Sequence, residues 1–74
     1  MNAVYEKQMG NNLRRLRQRK KLTQEQVAAK LQVRGCDVTR SALAKIEVGQ
    51  RHVYVDELKA LREIFDVSYE ELFV

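Results

Sequence analysis

The segment LTQEQVAAKLQVRGCDVTRSALAKIEVGQR, residues 22–51, contains two helix starts in close succession. Thr23, followed three residues later by Gln26, is the pattern of a capping box, in which the two side chains cap the first turn of a helix. Thr39 predicts a second helix start, and Gly49 predicts its end, because glycine readily adopts the left-handed conformation that closes helices. The segment therefore predicts a pair of helices, the second of which is short and sharply bounded.

The spacing of apolar residues predicts three more helices around this pair. The helix before it has its apolar side at Met9, Leu13 and Leu16, although Gly10 leaves the start of this helix open. The helix after it runs from about residue 55 to residue 65, with an apolar face formed by Val55, Leu58, Leu61 and Phe65. Ser68 and Glu71 form a further capping box, which starts a short last helix. The expected fold class is an all-α domain of five short helices that spans residues 1–74.

The formal charge is unevenly distributed along the chain. Residues 1–51 contain twelve Lys and Arg against four acidic residues, a charge of +8, whereas residues 52–74 contain two basic and six acidic residues, a charge of −4. A basic body suggests that one side of the domain faces a polyanion, although a charged helix face is often simply solvated. No apolar run exceeds three residues, which excludes a membrane span and predicts a cytoplasmic protein.

The second helix of the pair is expected to expose one contiguous strip. Leu43 and Ile46 have the spacing of core residues, and the opposite face then consists of Arg40, Ser41, Ala44 and Lys45. This strip has hydrogen-bond donors and small residues and no acid. It suits the major groove of DNA, where an arginine can bond guanine O6 and N7. The alternative is an ordinary solvent-exposed helix face.

Residues on both sides of this strip are candidates for phosphate contacts. Gln24 lies at the first turn of the preceding helix, where free N–H groups and the helix dipole favour an anion. Gln50 and Arg51 follow Gly49 and are placed to hold another phosphate. The basic first helix adds Arg14. Phosphate contacts on both sides of a helix fix its register in the groove, and base contacts then specify sequence.

In order and spacing, LTQEQVAAKL, VTRSALAKIEVGQR and ELKALREIFDVSYEELF resemble the phage Cro/repressor type of helix-turn-helix regulators, the XRE family. The resemblance covers roughly residues 9–73 and implies a compact five-helix, lambda-repressor-like domain. It implies that bases are read by Arg40, Ser41, Ala44 and Lys45. It implies that phosphates are contacted near Gln24, Thr39, Gln50 and Arg51. It also suggests an ion pair between Arg17 and Glu47, which the scarcity of acids in residues 1–51 favours independently.

The connection between the paired helices departs from the family pattern. Seven residues, 32–38, separate the two helices, whereas a helix-turn-helix usually has about three or four that include a glycine. We therefore expect the first helix of the pair to continue to Val33 or Arg34, Gly35 to end it, and the extra residues to form a surface insertion. Cys36, the only cysteine, has no disulfide or metal-ligating partner, so we expect an unreactive loop thiol.

These observations predict a sequence-specific regulator of transcription that binds double-stranded DNA, a repressor that recognises a palindromic operator as a homodimer. The apolar end of the chain would supply the dimer interface through Tyr69, Leu72, Phe73 and Val74. The alternative is a protein-interaction module, such as the antitoxin of a toxin–antitoxin pair, whose acidic end binds a partner protein. An enzyme is not expected, because the single histidine, His52, has no catalytic or metal-binding cluster in the sequence, and no cofactor is predicted.

Overall fold

The computed structural model describes residues 3–73 and contains, over that range, five helices and no strand. The helices are α1 (Ala3–Arg19), α2 (Gln24–Val33), α3 (Arg40–Glu47), α4 (Val55–Phe65) and α5 (Tyr69–Leu72). The prediction of an all-α fold with five short helices is therefore confirmed. All five helices contribute buried side chains to one apolar core.

The predicted helix starts have the predicted caps. The Thr23 hydroxyl accepts from the backbone N–H of Gln26 at 3.1 Å, and the Gln26 side chain accepts from the Thr23 N–H at 2.8 Å. Thr39 caps α3 by accepting a backbone N–H of its first turn at 3.1 Å, and Ser68 and Glu71 form a reciprocal pair at α5. Because each cap satisfies N–H groups that lack partners within the helix, local sequence determines where these helices begin.

α1 continues through Gly10 because α3 packs directly against this glycine. A Cβ atom at Gly10 would overlap the backbone carbonyl oxygen of Ile46 and lie 2.9 Å from that of Glu47. Gly49 closes α3 with φ +77°, as predicted, and a Cβ there would lie 2.7 Å from the Cα of Lys7. The start of α1 therefore lies well before Gly10, and the N-terminal half of α1 supports the end of α3.

α2 ends as predicted, but the connection to α3 is not a surface insertion. α2 runs to Val33, and Gly35 follows with φ +82°. The N–H of Cys36 then donates to the carbonyl oxygen of Leu31 at 2.9 Å, which folds the chain back over the end of α2. Cys36 and Val38 enter the core, with 6% and 0% of their surface exposed, so the expectation of a surface insertion is wrong. Burial raises the pKa of the Cys36 thiol and disfavours the reactive thiolate.

α4 buries a slightly different face from the one that its apolar spacing predicts. Leu61 and Phe65 are buried as predicted, and Ala60 is buried beside them. Val55, in contrast, is 83% exposed. It is the first residue of α4 and lies on the outermost turn, whereas Val53, which precedes the helix, is buried. The prediction that Val55 faces the core is therefore wrong.

Candidate DNA-binding surface

α3 presents the predicted strip on the side opposite the core. The buried side of the helix consists of Leu43, Ile46 and Glu47. The outer side consists of the exposed Arg40, Ser41 and Lys45 and the half-buried Ala44. Arg40 is the first residue of the helix, and the small side chain of Ala44 leaves room for a close approach. The geometry meets the requirements of a base-reading helix, and the roles of these four side chains stay a prediction.

A groove runs between α1, the start of α2 and α3, and basic side chains dominate it. The cations that line it are Arg14, Arg17, Lys21 and Arg40, and the acids are Glu25 and Glu47. Because Arg17 and Glu47 neutralise each other, the remaining lining residues carry an excess of positive charge. The groove also brings the start of α2 next to Arg40 and Ala44 of the strip. A single surface therefore combines the predicted base-reading residues with predicted phosphate contacts.

The predicted ion pair between Arg17 and Glu47 forms the floor of this groove. Arg17 Nε lies 2.7 Å from Glu47 Oε2, and Arg17 Nη2 lies 3.1 Å from Glu47 Oε1. Arg17 Nη1 donates in addition to the carbonyl oxygen of Leu22 at 2.8 Å. The side chains of the pair are only 11% and 2% exposed. The pair joins α1 to the end of α3 and thereby fixes the orientation of the strip.

Gln24 takes part in the same network of hydrogen bonds as the Arg17–Glu47 ion pair. Its Nε2 donates to Glu47 Oε1 at 3.0 Å, so the side-chain amide is held within the protein. The Gln26 N–H at the start of α2 bonds the Thr23 hydroxyl. The phosphate contact predicted near Gln24 stays a prediction.

Arg51 has an acidic partner that the sequence did not suggest. Its Nη1 and Nη2 donate to the two carboxylate oxygens of Glu57 at 2.9 and 3.0 Å, and Nη1 also donates to the carbonyl oxygen of His52. Burial opposes the ionisation of Glu57, but the bonds from Arg51 and from the Tyr54 backbone outweigh burial, and the pKa of Glu57 is lowered. Arg51 therefore shares its charge with a buried carboxylate, and its contact with phosphate stays a prediction.

The other predicted phosphate contacts lie at the edges of the surface. Arg14 and Gln50 are exposed. The Thr39 hydroxyl accepts the capping bond of α3, which leaves its O–H free to donate. The positions of these residues are compatible with the predicted role and do not test it.

Only some of the residues predicted for the dimer interface are exposed in the structure. Tyr69 and Phe73 are 48% and 64% exposed, whereas Leu72 is 0% exposed. Leu72 belongs to the core because α5 turns its apolar side toward α1, so the prediction of Leu72 as an interface residue is wrong. Val74 lies outside the described residues. Phe73 borders a groove that sequence reasoning missed, whose apolar residues include Tyr5, Met9, Val53 and Leu58.

The described part of the chain offers few features of other protein classes. Among residues 3–73, no helix is long and apolar enough to cross a membrane. Within the same range, no three His, Cys, Asp or Glu side chains come together in a way that could hold a metal ion. The basic groove and the strip on α3 are therefore the features from which function is inferred.

Comparison with known proteins agrees with this geometry. A family model described as helix-turn-helix matches residues 13–72. The structure is similar to the crystal structure of C.AhdI, a restriction-modification controller protein from Aeromonas hydrophila, with 32% identity, a TM-score of 0.82 and coverage of 96% of each chain. It is also similar to the DNA-binding domain of BldD, with 31% identity, a TM-score of 0.82 and coverage of 100% of each chain. No curated protein sequence matches.

Fold, surface and comparisons together define a helix-turn-helix regulator of transcription that binds DNA, which is a class of binding proteins and not of enzymes. The chain belongs to the XRE family of helix-turn-helix proteins. In this chain, α2 and α3 are the two helices of the helix-turn-helix motif, and the connection between them is lengthened by residues that enter the core.

Proposed function

We propose that the chain is a sequence-specific repressor that binds a palindromic operator as a homodimer, with α3 in the major groove. The observation that carries this proposal is the exposed strip of Arg40, Ser41, Ala44 and Lys45 beside a basic groove. An arginine at the start of α3 reaches base edges, and the small Ala44 allows the helix to enter the groove. A protein bound there would block other proteins from the same site, which represses a promoter that overlaps the operator.

The phosphate contacts that accompany this reading come from both sides of α3. On one side are Arg14, Lys21 and the first N–H groups of α2, which share one groove with Arg40. On the other side are Gln50 and the capping hydroxyl of Thr39. Contacts of this kind neutralise backbone charge and make binding strongly dependent on salt.

The homodimer is proposed from the exposed apolar side chains at the end of the chain. Phe73 is exposed beside the groove between α1 and α4, and Tyr69, four residues before it, is also exposed. A palindromic operator requires two reading helices that are related by a two-fold axis. Two copies of the chain that pair through this same surface would be related by such an axis. The two half-sites should then lie about one helical turn apart, on the order of 34 Å.

The test combines operator selection with sedimentation. Sequences that bind the protein would be selected from a library of random double-stranded DNA, and the protein would then be footprinted on the selected sequence. The proposal expects two symmetric half-sites, a protein-to-DNA ratio of two, and a logarithm of affinity that falls linearly with the logarithm of salt concentration. Arg14→Ala should reduce that slope by about one unit for each copy bound. A selected site without symmetry, bound by a single copy, would contradict the homodimer.

A second candidate uses the same apolar end in a different way. The exposed Tyr69 and Phe73 lie next to Glu70 and Glu71, so the surface would also suit a basic partner protein, as in an antitoxin that binds its own promoter. Sedimentation separates the two candidates. A monomer that binds DNA with high affinity only in the presence of a second protein encoded beside it would favour the antitoxin.

A further inference from the structure

Asn12 joins α1 to the end of α5 through a side-chain amide whose two ends are both engaged. Its Nδ2 donates to the carbonyl oxygens of Glu71 and Leu72, each at 2.7 Å. Its Oδ1 accepts from Arg15 Nη2 at 2.9 Å. Because carbonyl oxygens only accept and a guanidinium only donates, the amide has a single possible orientation. Asn12 is 5% exposed, so water cannot readily replace these bonds.

α5 depends on these bonds more than a longer helix would. It has four residues, far fewer than an isolated helix needs to be stable. The last carbonyl groups of any helix lack partners within it, and Asn12 provides a partner for two of them. The buried side chain of Leu72 is the other anchor. α5 is therefore held by one buried apolar contact and one buried polar contact, in addition to the exposed Arg19–Glu71 ion pair and the contact of Arg62 with the Tyr69 ring. Of these contacts, the one from Asn12 acts directly on the carbonyl end of the helix.

The end of α5 determines where Phe73 lies. Phe73 is the next residue in the chain, and its side chain is 64% exposed. It borders the apolar groove that is also lined by Asn12, Met9 and Leu58. A change in the direction of α5 would therefore move Phe73 relative to this groove.

We infer that Asn12 is a positioning residue for the dimer surface and, through it, for the spacing of the two reading helices. This inference rests on the proposed homodimer. In a two-fold dimer, a tilt of α5 occurs in both copies, so the separation of the two α3 helices changes by the sum of both displacements. Asn12 should therefore affect binding to a complete operator and leave binding of one copy to a single half-site unchanged.

The experiment compares Asn12→Ala and Asn12→Asp with the wild-type protein. Alanine removes the donors, whereas aspartate keeps the shape and places acceptor oxygens against two carbonyl oxygens. Sedimentation equilibrium would give the dimer dissociation constant, and titration would give affinities for a complete operator and for one half-site. We expect dimerisation of Asn12→Ala to weaken roughly tenfold, that of Asn12→Asp to weaken further, and half-site affinity to be retained. Amide hydrogen exchange should accelerate selectively in residues 69–73.

A control separates positioning from general stability. Val27→Ala removes buried apolar volume from α2 and should lower stability while dimerisation is retained at a temperature where every variant is folded. If Val27→Ala weakened the dimer as much as Asn12→Ala does, or if both Asn12 variants dimerised like the wild type, the inference about Asn12 would be overturned. A wild-type protein that stayed monomeric on its operator would instead overturn the proposed homodimer.

Discussion

Removing one member of the Arg17–Glu47 ion pair should take away a large part of the stability of the domain. Glu47 accepts two hydrogen bonds from Arg17 and one from Gln24, and the side chains of the ion pair are 11% and 2% exposed. In Arg17→Ala, the carboxylate stays buried with Gln24 as its remaining side-chain partner, which should cost about 3–5 kcal/mol. The free energy of unfolding of a domain of this length is about 4–11 kcal/mol in total, at roughly 0.05–0.15 kcal/mol per residue.

Urea unfolding followed by circular dichroism measures this loss. With a slope of about 1 kcal/mol per molar urea, the midpoint should fall by about 3 M or more in Arg17→Ala and in Glu47→Ala. Arg17→Met combined with Glu47→Leu should lose much less, because the apolar pair leaves no buried charge without a partner. Arg17→Ala should also remove the link between α1 and the end of α3, so operator affinity should fall even where the protein remains folded.

An exposed ion pair between α1 and α5 provides the control. Arg19 Nη2 lies 3.4 Å from Glu71 Oε2, and the two side chains are 60% and 49% exposed. Solvent screens such a pair, so Arg19→Ala should hardly move the urea midpoint. The reasoning about Arg17 and Glu47 would be refuted if either single variant unfolded near the wild-type midpoint. It would also be refuted if the apolar double variant lost the sum of the two single losses.

Four other predictions concern the site and the fold. Arg40→Ala should cost roughly 1–3 kcal/mol on the true operator and relax the preference at one base pair of each half-site, measured on an operator library. Arg51→Ala should weaken operator and unrelated DNA alike and should also lower the urea midpoint, because it deprives Glu57 of two hydrogen bonds; a change in base preference would contradict this. Since the pKa of Glu57 is lowered from the ordinary value of 4.5, the stability that it contributes is present above that value and is lost as pH falls through the folded-state pKa. Urea midpoints measured at descending pH should show this loss in the wild type and much less of it in Glu57→Gln. Gly10→Ala should lower the melting temperature although alanine favours helices by about 1 kcal/mol, because its Cβ would meet the carbonyl oxygen of Ile46; a higher melting temperature would refute the close approach.

The structural features that depend only on residues close together in the sequence were predictable from it. Capping boxes such as Thr23 with Gln26 act over three residues, and their pattern specifies the geometry directly. The strip on α3 was predictable for the same reason, because helical periodicity separates Leu43 and Ile46 from Arg40. The starts of α2, α3 and α5 and the outer face of α3 therefore required no knowledge of tertiary structure, whereas the start of α1 did.

The features that depend on tertiary packing were not predictable in this way. Cys36 enters the core because the connection folds back over α2, and no local pattern announces that turn. Leu72 and Phe73 are adjacent and apolar, and only the packing of α5 on α1 decides that the first is buried and the second exposed. The partner of Arg51 depends likewise on how the loop after α3 meets the start of α4.

α1 connects the two surfaces on which the proposed function depends. Gly10 and Arg17 are seven residues apart, about two helical turns, so both face α3 and hold it at two points. Asn12 is two residues from Gly10, a rotation of about 200°, and it faces α5 instead. α3 and the proposed dimer surface therefore lie on different sides of one continuous helix, and the register of α1 sets their relative orientation. A residue inserted between Asn12 and Arg17 would rotate Arg17 by about 100° relative to Gly10 and Asn12, so α1 could no longer contact α3 at both points while it holds the end of α5.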